Sequence, residues 1–215
     1  MTLEWQALPA SFMQAMTEMQ AMTAWEGVAV LLAVAYLLLA MKENIWCWAA
    51  AFISTAIYTV LFWKVSLLME SVLNVYYMAM AVYGYWMWTR GAKGADKGIA
   101  LVSWSWQRHL ILIGITSVVS LAVGWFMANY THASFAYLDA ATTCFAVMTT
   151  FLVARKVVEN WLYWVVIDLV SIYLYLHKGL MLTSMLFVLY VGMATAGYFM
   201  WRRDWRNMQT AQVAS

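Results

Sequence analysis

The chain has 215 residues, of which 66% are apolar and 10% charged, with one proline and a formal net charge of +2. A soluble domain carries about 45–50% apolar and roughly 25% charged residues, so 12 basic and 10 acidic side chains are too few to coat a water-facing globule of this length. A soluble enzyme, a disordered chain and a nucleic-acid binder with a basic face are excluded, and the solvent is lipid.

In chain order, residues 1–23 hold no Lys or Arg, and Phe12, Met13, Met16, Met19 and Met22 recur at near-helical spacing. This predicts a short amphipathic helix lying on the outer interface, without the basic start and cleavage site of a signal peptide. A bilayer core about 30 Å thick takes roughly 20 apolar residues per helix. Seven stretches qualify: Ala24–Met41, Ile45–Phe62, Ser66–Trp88, His109–Ala128, Ser134–Ala154, Trp161–Leu176 and Leu180–Trp201. Short connections make neighbouring helices antiparallel. The exception is Thr89–Arg108, in which Gly91 to Gly98 reads as a flexible polar linker.

Seven spans put the termini on opposite sides. Assigning alternate loops to the side of Arg202, Arg203 and Arg206 gathers ten Lys and Arg there and leaves Lys64 and Lys178 opposite. The positive-inside rule then makes the C-terminus cytoplasmic and the N-terminus external.

An internal repeat is visible. A shift of 113 positions superposes Tyr77 to Arg90 on Tyr190 to Arg203 with eight identities in 14 positions, among them Tyr77/Tyr190, Gly84/Gly197 and Trp88/Trp201. A second echo at a shift of 116 matches Glu43, Asn44 and Trp48 with Glu159, Asn160 and Trp164, and implies a small length change between the halves. The expected fold is an all-α integral membrane protein in a 3+1+3 parallel-repeat arrangement. Its parts are an external segment (1–23), a first three-helix repeat (24–88), a cytoplasmic linker and linker helix (89–133), a second repeat (134–203) and a cytoplasmic tail (204–215). Parallel repeats of this kind hold a substrate between them near the midplane.

Two polar stripes mark candidate cavity walls. Glu70, Asn74, Tyr77, Ala81 and Gly84 fall on one face of the third span, and Trp161, Trp164, Asp168, Ser171 and Tyr175 on one face of the sixth. Polar groups at bilayer depth point at a cavity or a partner. Indole and phenol faces attract flat or cationic rings, and an amide and a carboxylate bond sugar hydroxyls. The candidate binding residues are Trp164, Asn74, Tyr77, Trp161, Asp168, Trp46, Glu70 and Tyr190. For Trp161 and Trp46 an interfacial aromatic belt fits as well as a site, and Glu70 lies close enough to the outer surface to be solvated there. Asn74 and Tyr77 also fit an interhelical hydrogen-bonded pair. Trp63, Trp88, Trp104, Trp106 and Trp201 fit the aromatic belt.

Cys47 and Cys144 lie in apolar runs, and His109, His132 and His177 have no ligand spacing, so no metal, disulfide or cofactor is assigned. No phosphate-binding G-x-x-x-x-G-K-[ST] motif and no hydrolase constellation is present. A seven-helix receptor would need a larger cytoplasmic signalling surface than one linker and a short tail.

The runs Glu43-Asn44-Ile45-Trp46-Cys47-Trp48, Glu70-Ser71-Val72-Leu73-Asn74-Val75-Tyr76-Tyr77 and Tyr83-Gly84-Tyr85-Trp86-Met87-Trp88 resemble the PnuC family of nicotinamide riboside transporters. So do Glu159 to Trp164 and Gly197 to Trp201 in the second half. The resemblance spans about residues 24–203, and relatives carrying thiamine or riboflavin share the architecture. It implies a SWEET-like fold in a bacterial inner membrane, a homotrimer, and facilitated diffusion with phosphorylation trapping the substrate inside. It also implies ligand roles for Trp161 and Trp164 as a W-x-x-W pair, and for Asn74 and Tyr77 as N-x-x-Y. Nicotinamide riboside, a flat cationic ring on a ribose, agrees with the inventory of the stripes; a phosphorylated nucleotide does not, for want of a basic residue at bilayer depth.

Overall fold

The structure is a computed structural model that describes residues 24–64, 68–90, 98–131 and 135–214. The expected amphipathic N-terminal helix and most of the Gly91 to Gly98 linker lie outside them. The described residues form seven helices: α1 (Ala24–Met41), α2 (Trp46–Lys64), α3 (Leu68–Thr89), α4 (Trp106–Tyr130), α5 (Ala136–Ala154), α6 (Asn160–His177) and α7 (Met181–Ala214). No proline falls in any of them, and straight-chain and branched apolar residues carry each helix through without a breaker.

Five helices are long and apolar enough to cross a membrane: α1, α2, α4, α5 and, over Thr183–Ala211, α7. The remaining two, α3 and α6, are the ones that carry the polar stripes, and their load of Tyr, Asn, Glu and Asp lowers their hydropathy. The expected tail after Arg203 continues α7 without a break, making one helix of 34 residues. Nothing between Gly197 and Ala214 stops it: Arg, Met, Gln and Ala are good helix formers.

Helix packing closes a ring. Consecutive helices pack within α1–α2–α3 and α5–α6–α7, and two further contacts, α3 on α5 and α1 on α7, join the halves. Among the described residues α5 is the one helix whose backbone α4 approaches closely, and the backbones of α2 and α6 stand apart from each other. The two joining contacts exchange under the 113-residue shift. Helix boundaries obey the same shift, since α1 and α5 end, and α3 and α7 begin, 113 positions apart. The 116-residue echo is therefore not a structural equivalence. Trp48 corresponds to Trp161, Glu43 to Lys156, and no length change separates the halves.

The turns after α1 and α5 share one design. Asn44 N–H donates to Leu39 O and Glu43 N–H to Ala40 O; in the second half Val157 N–H donates to Leu152 O and Lys156 N–H to Val153 O. This pair of bonds is the Schellman helix stop, which needs a left-handed residue just past the helix. Glycine usually takes that position, but here Glu43 (φ 55°) and Lys156 (φ 51°) do. Asn44 then starts α2, its Oδ1 accepting from Trp46 N–H at 2.9 Å.

The core sits at this end of the ring. Ala40, Trp48, Trp88, Ala154, Trp161 and Trp201 are all buried in one cluster, while α4 leaves Ile111, Val118 and Phe126 exposed. A segment ahead of α4 seals the cluster from outside. Val102 N–H donates to Lys156 O at 3.0 Å, Val158 N–H donates to Val102 O at 2.9 Å, and Leu101 is buried. The last third of the long connection is thus packed structure rather than loose linker. At its far end His109 ties α4 to α6, its Nδ1 lying 2.9 Å from the Tyr163 hydroxyl.

Candidate functional site: a cavity between the halves

Inside the ring lies a cavity of about 290 Å³. The backbones of α2 and α6 stand apart, and each helix supplies a wall: Trp48, Ala51, Ser54 and Thr55 from α2, and Trp161, Trp164 and Asp168 from α6. Tyr77 of α3 and Phe187, Tyr190 and Ala194 of α7 complete it, with Ala33, Tyr36 and Leu37 of α1 and Thr150 of α5.

Five of the eight candidate residues are brought together here: Tyr77, Trp161, Trp164, Asp168 and Tyr190. Asn74, Glu70 and Trp46 are not among the lining residues. The Asn74 amide is turned onto its own helix, where Nδ2 donates to Glu70 O at 2.8 Å. Glu70 is exposed; it shares a face with Tyr77 but sits roughly 10 Å further along the axis, two turns away. Trp46 is 67% exposed, because two helical steps rotate it to the side opposite Trp48.

The cavity floor is a chain of four tryptophans. Trp48 meets Trp88 edge-on at 5.4 Å, Trp88 lies 6.2 Å from Trp201, and Trp201 meets Trp161 edge-on at 5.4 Å. Each ring is at most 2% exposed. Trp88 and Trp201 thus leave the interfacial belt expected for them. Each stands at the end of a span, but its indole closes a seam between the halves. Trp88 Nε1–H donates to Ala154 O at 3.2 Å and Trp201 Nε1–H to Ala40 O at 3.1 Å. Edge-to-face geometry is the favourable one for such rings. Trp63 and Trp106, 66% and 71% exposed, do lie on the outside as a belt would.

Two glycines make the floor possible. A Cβ on Gly84 would lie 2.3 Å from the Trp48 ring, and one on Gly197 would lie 2.7 Å from that of Trp161. Each tryptophan therefore packs flat on the backbone of the next helix. Trp48 was not among the candidates, and its equivalence to Trp161 under the 113-residue shift is the signal that finds it. The indole N–H groups of Trp48 and Trp161 are both buried with no hydrogen-bond partner among the described residues.

Beneath the floor, Lys156 Nζ lies 2.8 Å from Glu43 Oε2 and 4.6 Å from the centre of the Trp88 ring. Towards the other end, Tyr175 stacks on Phe187 at 5.2 Å, and Lys178 pairs with Asp139 at 2.8 Å between the α6–α7 turn and α5.

Apolar helices set in a ring about one aromatic internal cavity are the build of a multi-pass membrane transporter. The chain belongs to the nicotinamide mononucleotide transporter family, whose model matches residues 23–203; the resemblance read from its motifs is borne out. The riboflavin/roseoflavin transporter RibM of Streptomyces davaonensis is 26% identical over 171 residues, which cover 79% of this chain and 78% of RibM. The nicotinamide riboside transporter PnuC of Escherichia coli is 22% identical over 188 residues, covering 76% and 78%. The fold matches the crystal structure of the vitamin B3 transporter PnuC with a TM-score of 0.70 at 19% identity, over 94% of this chain and 91% of that one.

Proposed function

We propose that this protein imports nicotinamide riboside across a bacterial inner membrane by facilitated diffusion, with phosphorylation inside the cell trapping the substrate. The observation that carries this reading is the cavity itself: aromatic faces from Tyr77, Trp164 and Tyr190 around the carboxyl group of Asp168. These suit a flat cationic ring, while the hydroxyl oxygens of Ser54, Thr55 and Thr150, whose protons go to backbone carbonyls, are left to accept from a sugar. The family's descriptive name refers to the mononucleotide, but none of the lining residues is a Lys or Arg that could neutralise a phosphate. The unphosphorylated nucleoside is the better fit.

In this reading all seven helices span the bilayer in a SWEET-like 3+1+3 arrangement, with the N-terminus outside and the C-terminus cytoplasmic. Alternating access arises as α1–α3 rocks against α5–α7. Support comes from the exchange of the two inter-half contacts under the repeat shift and from the surplus of basic residues on the α7 side. The trimer implied by the family resemblance belongs to the same proposal, with the apolar outer face of α4 left for lipid or neighbouring subunits.

RibM favours a second reading, in which the cargo is riboflavin or another vitamin. Calorimetry on the detergent-purified protein with nicotinamide riboside, thiamine, riboflavin and nicotinamide mononucleotide decides between them. Tightest binding of nicotinamide riboside supports the first reading, and tightest binding of riboflavin replaces it with the second. Tight binding of the mononucleotide removes the argument from missing cations.

A further inference from the structure

Residues of the cavity walls are related by the 113-residue shift, and the places where the relation fails carry information. Trp48 faces Trp161, Tyr77 faces Tyr190, and these pairs are identical under the 113-residue shift. Three other pairs are not: Leu37 corresponds to Thr150, Ala51 to Trp164, and Thr55 to Asp168. The last two load the α6 wall, one with an aromatic face and the other with the one acidic side chain among the described lining residues.

Asp168 is 4% exposed and makes no hydrogen bond or ion pair with any described residue. Three other acids of the bundle are engaged. Glu43 meets Lys156, Asp139 meets Lys178, and Glu159 accepts from Ser103 Oγ and from Trp104 N–H. On the opposite wall the Thr55 hydroxyl is turned back on its own helix, donating to Ala51 O at 2.8 Å. A buried carboxylate without a partner is strongly unfavourable until a proton neutralises it or a positive charge is brought to it, and a cation that enters is bound by the charged form. Here the cavity opens onto it, and Trp164 stands one helical turn away to cover the face of a ring.

We infer that Asp168, through its placement on the α6 wall alone, makes a positive charge on the cargo's ring a requirement for tight binding. The ring lies against Trp164 and Asp168, and the neutral part of the cargo lies towards α2. This rests on the proposed nicotinoside cargo and adds to it a selection by charge rather than by shape.

The test compares nicotinamide riboside with its reduced 1,4-dihydro form, which has nearly the same outline and no ring charge. Both are titrated calorimetrically into the purified wild type and into Asp168→Asn and Asp168→Glu. The expected result is a preference of tenfold or more for the charged form in the wild type. That preference should be lost in Asp168→Asn through weaker binding of the cation, with binding of the neutral form retained, and should be kept at least in part in Asp168→Glu. Retained binding of the neutral form also shows that Asp168→Asn is folded; if that variant binds neither form, the preference in Asp168→Glu decides, and its absence there overturns the inference. Equal affinity of the wild type for both forms overturns the charge requirement and leaves the nicotinoside cargo standing. If the wild type binds neither form, the cargo assignment fails, and the charge requirement fails with it.

Discussion

Glu43 and Lys156 occupy the same position in the two halves, 113 residues apart, and they touch each other. Each is the left-handed residue of a Schellman stop, and a side chain there costs about 1–2 kcal/mol that glycine would not. The cost is met by the pair: two turns of the same design approach each other, and opposite charges let them meet. With Lys156 fully buried and Glu43 8% exposed, loss of one partner leaves a charge stranded. Lys156→Met and Glu43→Gln are each expected to destabilise the protein by about 3–5 kcal/mol, read as a lower melting temperature in detergent. Because the sites are equivalent, the exchanged pair Glu43→Lys with Lys156→Glu should recover most of the loss that either reversal causes alone.

The glycine seats of the tryptophan floor give a second expectation. Gly84→Ala and Gly197→Ala push a methyl group into the Trp48 and Trp161 rings and should each cost about 1–3 kcal/mol. Gly192→Ala on the same helix as Gly197 meets nothing within 4 Å, and it should be neutral or stabilising by up to about 1 kcal/mol. Melting curves of the three variants check the contrast. Equal behaviour of Gly192→Ala and Gly197→Ala would remove the close approach as an explanation.

Trp164 is half-buried and faces the cavity, so its truncation enlarges a space already present instead of opening a void in a packed core. Trp164→Ala should weaken nicotinamide riboside binding by up to roughly 30-fold, corresponding to the loss of a ring–cation contact of about 0.5–2 kcal/mol. Its melting temperature without ligand should stay close to that of the wild type. Calorimetry showing wild-type affinity would take Trp164 out of the site.

A fourth expectation concerns the α1–α2 contact. Ser54 is buried and its hydroxyl donates to Ala29 O at 2.8 Å. Ser54→Ala leaves that carbonyl without the donor and should cost about 1 kcal/mol. Ser54→Val, bulkier and equally unable to donate, should cost more and also shrink the cavity. Thermal unfolding ranks the two.

What could be read without coordinates follows from what periodicity encodes. The stripe in α6 was legible because Trp161, Trp164 and Asp168 fall on one face and the structure turns that face inward. In α3 the same reasoning grouped Asn74 with Tyr77, although three residues leave a helical step of about 60° between them. Only the neighbouring helices decide which of the two looks into the cavity. Trp88 and Trp201 stand at span ends, where an indole ordinarily meets the interface. Their burial depends on two span ends from different halves converging, which no local pattern records. The repeat itself was plain between Tyr77 and Arg90. Further upstream the pairing of Glu43 with Lys156 hid it, because the meeting of two equivalent turns demands unlike residues, and a search for identity slides past them to Glu159.

The tryptophan floor has an optical consequence. Four indoles held within 5.4 to 6.2 Å of their neighbours at fixed angles should couple their intense far-ultraviolet transitions and add an excitonic couplet to the circular dichroism of the helices. The middle contact, Trp88 to Trp201, is the one that crosses from one half to the other. Were the halves to part at that end the couplet would fade, so an unlabelled sample carries its own spectroscopic gauge of that contact.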